Sequence, residues 1–158
     1  KAFFLSILLG LPQHRQEERE TDTKAKAILA MFGKRLTGYR FEQNVSQLSY
    51  ANRRRVEIAR AMGSDPEILL LDEPSAGMNP QETAEITGFI KQLRDRHGLT
   101  IIVIEHKLNL VKAVSDRVIV MDHGLKICEG SYDHVAADPD VIEAFLGKKG
   151  KRGKQTDS

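Results

Sequence analysis

The chain has 158 residues, 41% of them apolar and 29% charged, enough for one domain with a buried core and unlike a disordered or fibrous sequence. Its formal net charge is +2, and Lys148, Lys149, Lys151, Arg152 and Lys154 against Asp157 place +4 after Leu146, leaving the body near −2. A near-neutral body excludes the basic footprint of a nucleic-acid-binding domain, and the single Cys128 excludes an internal disulfide.

In chain order, the apolar run Ala2 to Leu11 comes first. It is too short to span a bilayer, which takes about 20 residues. Pro12-Gln13-His14-Arg15 offers no small-residue cleavage site after it, so a secretory leader does not fit. The chain opens with Lys1 rather than Met, and its N-terminus reads as cut from something longer. Residues 1 to 47 are expected to be mainly helical: the apolar opening, a charged turn over Gln13 to Thr23, then a helix from Lys24 to Phe32 stopped by Gly33. Lys34 to Gln47 reads as a loop.

From Leu48 onward helix and strand signals alternate, which predicts a parallel α/β sheet. Ser49 caps a helix over Tyr50 to Met62, closed by Gly63. Ile68 to Asp72 is apolar without alternation, the pattern of a strand covered on both faces. Asn79-Pro80 starts a helix whose apolar face is Ile86, Phe89, Ile90 and Leu93, and Gly98 ends it. A buried strand over Thr100 to Glu105 leads to His106. A short helix (Leu108 to Val114), a strand (Arg117 to Asp122), a tight turn at His123-Gly124 and a strand over Lys126 to Glu129 follow. Two small helices capped by Ser131 and Asp138 close the domain. The segment 148–158 reads as a basic, disordered tail.

Three places carry chemistry. Asp72 and Glu73 end a buried strand, where one carboxylate can hold a metal ion through water and the other can polarise a water. His106 follows a second buried strand, and the carboxyl ends of parallel strands are where an α/β site is expected. Ser49 offers a hydroxyl at a helix N-terminus, which favours an anion. Each also has a plain structural role: a solvated strand end, a loop histidine, a helix cap. Arg53, Arg54 and Arg55 point in different directions from one helix and are not placed at the site.

Leu48-Ser49-Tyr50-Ala51-Asn52, Ile68 to Pro74, Ser75 to Asn79 and His106 resemble, in order and spacing, the signature motif, Walker B motif, D-loop and switch histidine of ATP-binding cassette (ABC) ATPases. Arg53 to Arg60, Ser75 to Pro80 and the ending Asp138 to Gly147 resemble the ATP-binding subunits of bacterial branched-chain amino-acid importers. The resemblance implies a P-loop NTPase (RecA-like) parallel sheet, here incomplete: residues 1–47 would be part of the helical subdomain and residues 48–147 the C-terminal part of the ATPase domain. It implies ATP and Mg²⁺ as ligands, with Asp72 holding Mg²⁺ through water, Glu73 orienting the attacking water and His106 touching the γ-phosphate. Ser49, Tyr50, Ala51 and Asn52 would contact ATP held by a partner subunit, and Ser75, Ala76, Gly77, Met78 and Asn79 would line the interface. Implied partners are a second ATPase subunit, identical or not, and transmembrane permease subunits, with the protein peripheral on the cytoplasmic face of the plasma membrane.

Two departures stand out. No G-x-x-x-x-G-K-S/T occurs among the 158 residues, so none of them forms a phosphate cradle. Ala51-Asn52 replaces the Gly and Gln or Glu usual in the signature, and a methyl there would obstruct close approach of backbone to phosphate. The chain as given is therefore expected to lack ATPase activity of its own and to fold poorly alone. A non-hydrolysing or regulatory subunit, or an ABC ATPase outside transport, are the alternative functions.

Overall fold

The computed structural model describes residues 12–146, so the expectations for the apolar opening run and for the basic tail lie outside the described residues. The chain divides after His106 into two units. Among the described residues the first opens with one helix, α1 (Pro12–Ala30), which corrects the expected charged turn over Gln13 to Thr23. Glu, Gln, Arg, Lys and Ala all favour a helix. Gln16 donates to Glu20 at 3.0 Å and Lys26 to Asp22 at 2.8 Å, both four residues apart. The Thr21 and Thr23 hydroxyls donate to carbonyls one turn back, so these turn-favouring residues fit within the helix. Three 3-10 turns, Gly33–Arg35, Gly38–Glu42 and Val45–Gln47, occupy the expected loop.

Local signals set the next elements. The Ser49 hydroxyl accepts the Asn52 N–H at 3.3 Å and starts α2 (Tyr50–Met62). A reciprocal Asn79–Glu82 capping box with Pro80 starts α3 (Pro80–His97), and Gly98 ends it in the left-handed region at φ 64°. Buried Ile86, Phe89, Ile90 and Leu93 form the core face of α3, with the Phe89 ring centroid 3.9 Å from that of Phe32.

Strands β1 (Ile68–Asp72) and β2 (Thr100–Ile104) pair in parallel from Ile68↔Thr100 to Asp72↔Ile104, as the alternating signals predict. Leu69 and Leu71 are buried, but on the other face Ile68, Leu70, Ile102 and Ile104 are 54 to 71% exposed. The expectation of a strand covered on both faces is corrected: the described residues cover one face only.

The second unit contains α4 (Leu108–Val114), the antiparallel pair β3 (Val118–Asp122) and β4 (Leu125–Gly130), α5 (Tyr132–Ala136) and α6 (Pro139–Leu146). His123 (φ 46°) and Gly124 (φ 80°) make the two-residue hairpin turn. Cys128, Val135 and Val141 form its core, with Val118, Val120 and Ile127 packed against them. No helix among the described residues is long and apolar enough to cross a membrane.

Candidate active site

At Asp72 the β geometry of β1 ends, with the carboxylate exposed. Glu73 turns out of the strand with φ 44°, an uncommon left-handed conformation for a residue with a side chain. Its N–H still donates to the Ile104 carbonyl at 2.8 Å, so the turn stays hooked to β2. Two residues past that carbonyl, His106 comes beside it, with Nδ1 3.7 Å from Glu73 Oε1. The two side chains are 64% (His106) and 50% (Glu73) exposed, and one bridging water can bond to both across that gap.

Two further residues hold this strand end, and neither was assigned a site role from the sequence. Arg54 donates from Nη2 to the carbonyl oxygens of Asp72 and Glu73, the latter at 3.2 Å, while Nη1 bonds Glu57 at 2.7 Å. Of the three consecutive arginines, Arg53 is exposed, Arg54 reaches the strand end and Arg55 is buried. The available signal was the helix–loop–strand order: a strand returning after α2 brings its carboxyl end beside the first turn of α2. Glu105 follows β2 and bonds Ser75, with Oε1 accepting from the Ser75 N–H at 3.1 Å and from its hydroxyl.

The start of α2 presents Ser49 and Tyr50 outward and Ala51 and Asn52 inward. Tyr50 is 54% exposed and its ring lies against Gly77, where an added Cβ would sit 3.1 Å from a ring carbon. With φ 66° as well, Gly77 tolerates no side chain without strain. Ala51 is 4% exposed, so its methyl is not offered to solvent. The Asn52 side chain accepts from Arg55 Nη1 at 3.0 Å. Arg55 in turn donates to Glu85 at 2.9 Å, and Glu85 receives two bonds from Arg35, at 2.6 and 2.9 Å. The Arg35 hydrogen bonds hold the Glu85 carboxyl below its ordinary value against a desolvation effect that raises it. Burial pulls the Arg55 guanidinium down, opposed by the Glu85 charge. Along the following turn Ser75 and Met78 are buried, Ala76 is half-buried, and Gly77 and Asn79 are exposed.

No group of three or more His, Cys, Asp or Glu residues able to hold a metal gathers among the described residues. Mg²⁺ bound with a nucleotide needs fewer, because it keeps several waters and takes one or two carboxylates beside the phosphates. The exposed Asp72 carboxylate, next to Glu73, fits that demand. Chemically, the strand ends can orient a water and carry a proton, while the helix start can bond an anion.

A family model described as "ABC transporter" matches residues 8–76, and one described as "Branched-chain amino acid ATP-binding cassette transporter" matches residues 126–150. The high-affinity branched-chain amino acid transport ATP-binding protein LivG of Escherichia coli (strain K12) is 41% identical over 148 residues, 94% of this chain and 57% of LivG. A nucleotide-free ATP-binding cassette from an ABC transporter superposes with a TM-score of 0.73 at 30% identity, covering 82% of this chain and 51% of that one. The cassette MJ0796, solved as a dimer, gives a TM-score of 0.61 at 29% identity, over 73% of this chain and 48% of its own. The α/β cassette architecture implied by the sequence is borne out by these structures. The chain spans little more than half the length of the curated relatives it matches.

Proposed function

The chain belongs to the ATP-binding proteins of ABC transporters, and from that membership we propose that it is the catalytic and interface half of an ATP-hydrolysing subunit that powers uptake of branched-chain amino acids. The observation that carries this is the approach of Glu73 and His106 to 3.7 Å at the ends of two paired parallel strands.

Phosphoryl transfer relies on positioning and charge stabilisation more than on covalent chemistry from the protein. Glu73 accepts a hydrogen bond from the attacking water and aims it, held by the hook to Ile104 and by Arg54 on its carbonyl. His106, on the far side of that water, donates to a γ-phosphate oxygen. Asp72 would hold Mg²⁺ through water, and the ion would supply positive charge to neutralise the phosphates. Ser49 and the N-terminus of α2 face outward, toward the γ-phosphate of ATP held by a partner cassette. Because the Ala51 methyl is buried, it does not stand between the helix start and a nucleotide arriving from solvent. Asn52 acts by fixing Arg55 rather than by touching the nucleotide. Ala76, Gly77 and Asn79 are the outward residues of the interface turn. The partners are a second cassette subunit and membrane-spanning permease subunits, which places the protein at the cytoplasmic face of the plasma membrane.

Replacing the carboxylate tests this directly. In the intact protein, Glu73→Gln is expected to lower ATP turnover by about 10² or more while leaving ATP affinity near its starting value. Turnover that survives the substitution would remove Glu73 from the mechanism.

A further inference from the structure

The Glu105 carboxylate spans two segments that the proposed function treats separately. Oε1 accepts from both the N–H and the hydroxyl of Ser75, the first residue of the interface turn, and Ser75 is wholly buried. Oε2 accepts the backbone N–H of His106 at 3.0 Å. One side chain thus fastens the root of the Ser75–Asn79 turn to the backbone of the residue facing Glu73. The Glu73–Ile104 hydrogen bond pins the same junction two residues before Ser75 and one residue before Glu105. Between the two pins lies only Pro74, itself buried. A displacement of the turn must therefore move Glu105, and with it His106, relative to Glu73.

We propose that Glu105 is a positioning residue that couples the Ser75–Asn79 turn to the Glu73–His106 pair, so that a partner seated on the turn sets the geometry of hydrolysis. The proposal rests on the ATPase function proposed above and names a control built into that same site. A carboxylate suits this role because its two oxygens accept from both segments at once. Groups that hold reacting residues in place act on the rate of the chemical step, and small misplacements weaken it strongly.

The test is steady-state ATP hydrolysis by the intact protein in its assembly. Glu105→Ala is expected to lower kcat about tenfold with KM for ATP within about twofold of the starting value. Glu105→Gln keeps one oxygen for Ser75 and is expected to recover at least about half of the lost rate constant. Ser75→Ala removes the hydroxyl alone and is expected to lower kcat about threefold, with no further loss when added to Glu105→Ala. Should Glu105→Ala fail to fold, Ser75→Ala and Glu105→Gln decide the matter. Starting-level kcat in both Glu105→Ala and Ser75→Ala, strict additivity of the two, or a loss confined to KM each overturns the coupling role alone. An unsubstituted protein that does not hydrolyse ATP overturns the proposed function, and the coupling role with it.

Discussion

Glu73 shows how a single residue is committed to a site by its backbone. Its left-handed φ of 44° is a conformation that a residue with a side chain adopts at a cost of about 1–3 kcal/mol, held here by the bond to Ile104 and by Arg54 on its carbonyl. Cys128 shows the opposite, a reactive group kept inert. Burial first, and then its hydrogen bond to Asp138 at 3.3 Å, push the thiol above its ordinary value. At neutral pH the fraction of thiolate is accordingly small, and Cys128 is expected to alkylate with iodoacetamide at least about tenfold more slowly than free cysteine. Asp138→Asn is expected to speed that reaction. A rate equal to that of free cysteine, timed by mass spectrometry, contradicts this account of the thiol.

Between elements, a polar connection runs through Glu85 on α3, which takes Arg35 from the first 3-10 turn and Arg55 from α2. Arg55 is 2% exposed, so loss of Glu85 leaves its charge buried without its carboxylate partner. Glu85 is itself about one-third exposed, which tempers the effect, and Glu85→Gln is expected to cost about 2 kcal/mol at pH 7. The pH dependence has a definite sign. The folded-state carboxyl titrates below its ordinary value of 4.5, so its stabilisation is fully present above that value and is lost as pH falls through the lowered folded value. Urea melts of the intact protein and of Glu85→Gln should therefore differ at pH 7 and converge in acid. A gap that stays constant down to pH values of about 2 contradicts an ionic role for Glu85. Legibility in the sequence also divides at this scale. The caps at Ser49, Asn79 and Ser131 are readable because each is made with residues three positions away. The first half of α1 is misread because Thr21, Asp22 and Thr23 signal a turn, whereas their side chains bond within the helix. The bare face of β1 is not readable, since Ile68 and Leu70 look the same whether covered or open. Glu73 and His106 are legible as a pair because both follow strands of one parallel sheet. Arg54 and Glu105 are not, because register across 18 and 30 residues decides where their polar ends land.

For the whole molecule, the outward start of α2 and the Glu73–His106 pair are separate surfaces on one unit, Ser49 offering a hydroxyl to an anion and Glu73 a base to a water. Their roles become one function only if Ser49 serves a nucleotide on a partner while Glu73 serves the chain's own. Sedimentation of the intact Glu73→Gln protein with its partner subunit, with and without ATP, separates these roles most directly. ATP is expected to drive stable association, and adding Ser49→Arg is expected to abolish that association while nucleotide binding by the separate subunit persists. Association that ignores ATP, or that survives Ser49→Arg, contradicts the division of labour between Ser49 and Glu73.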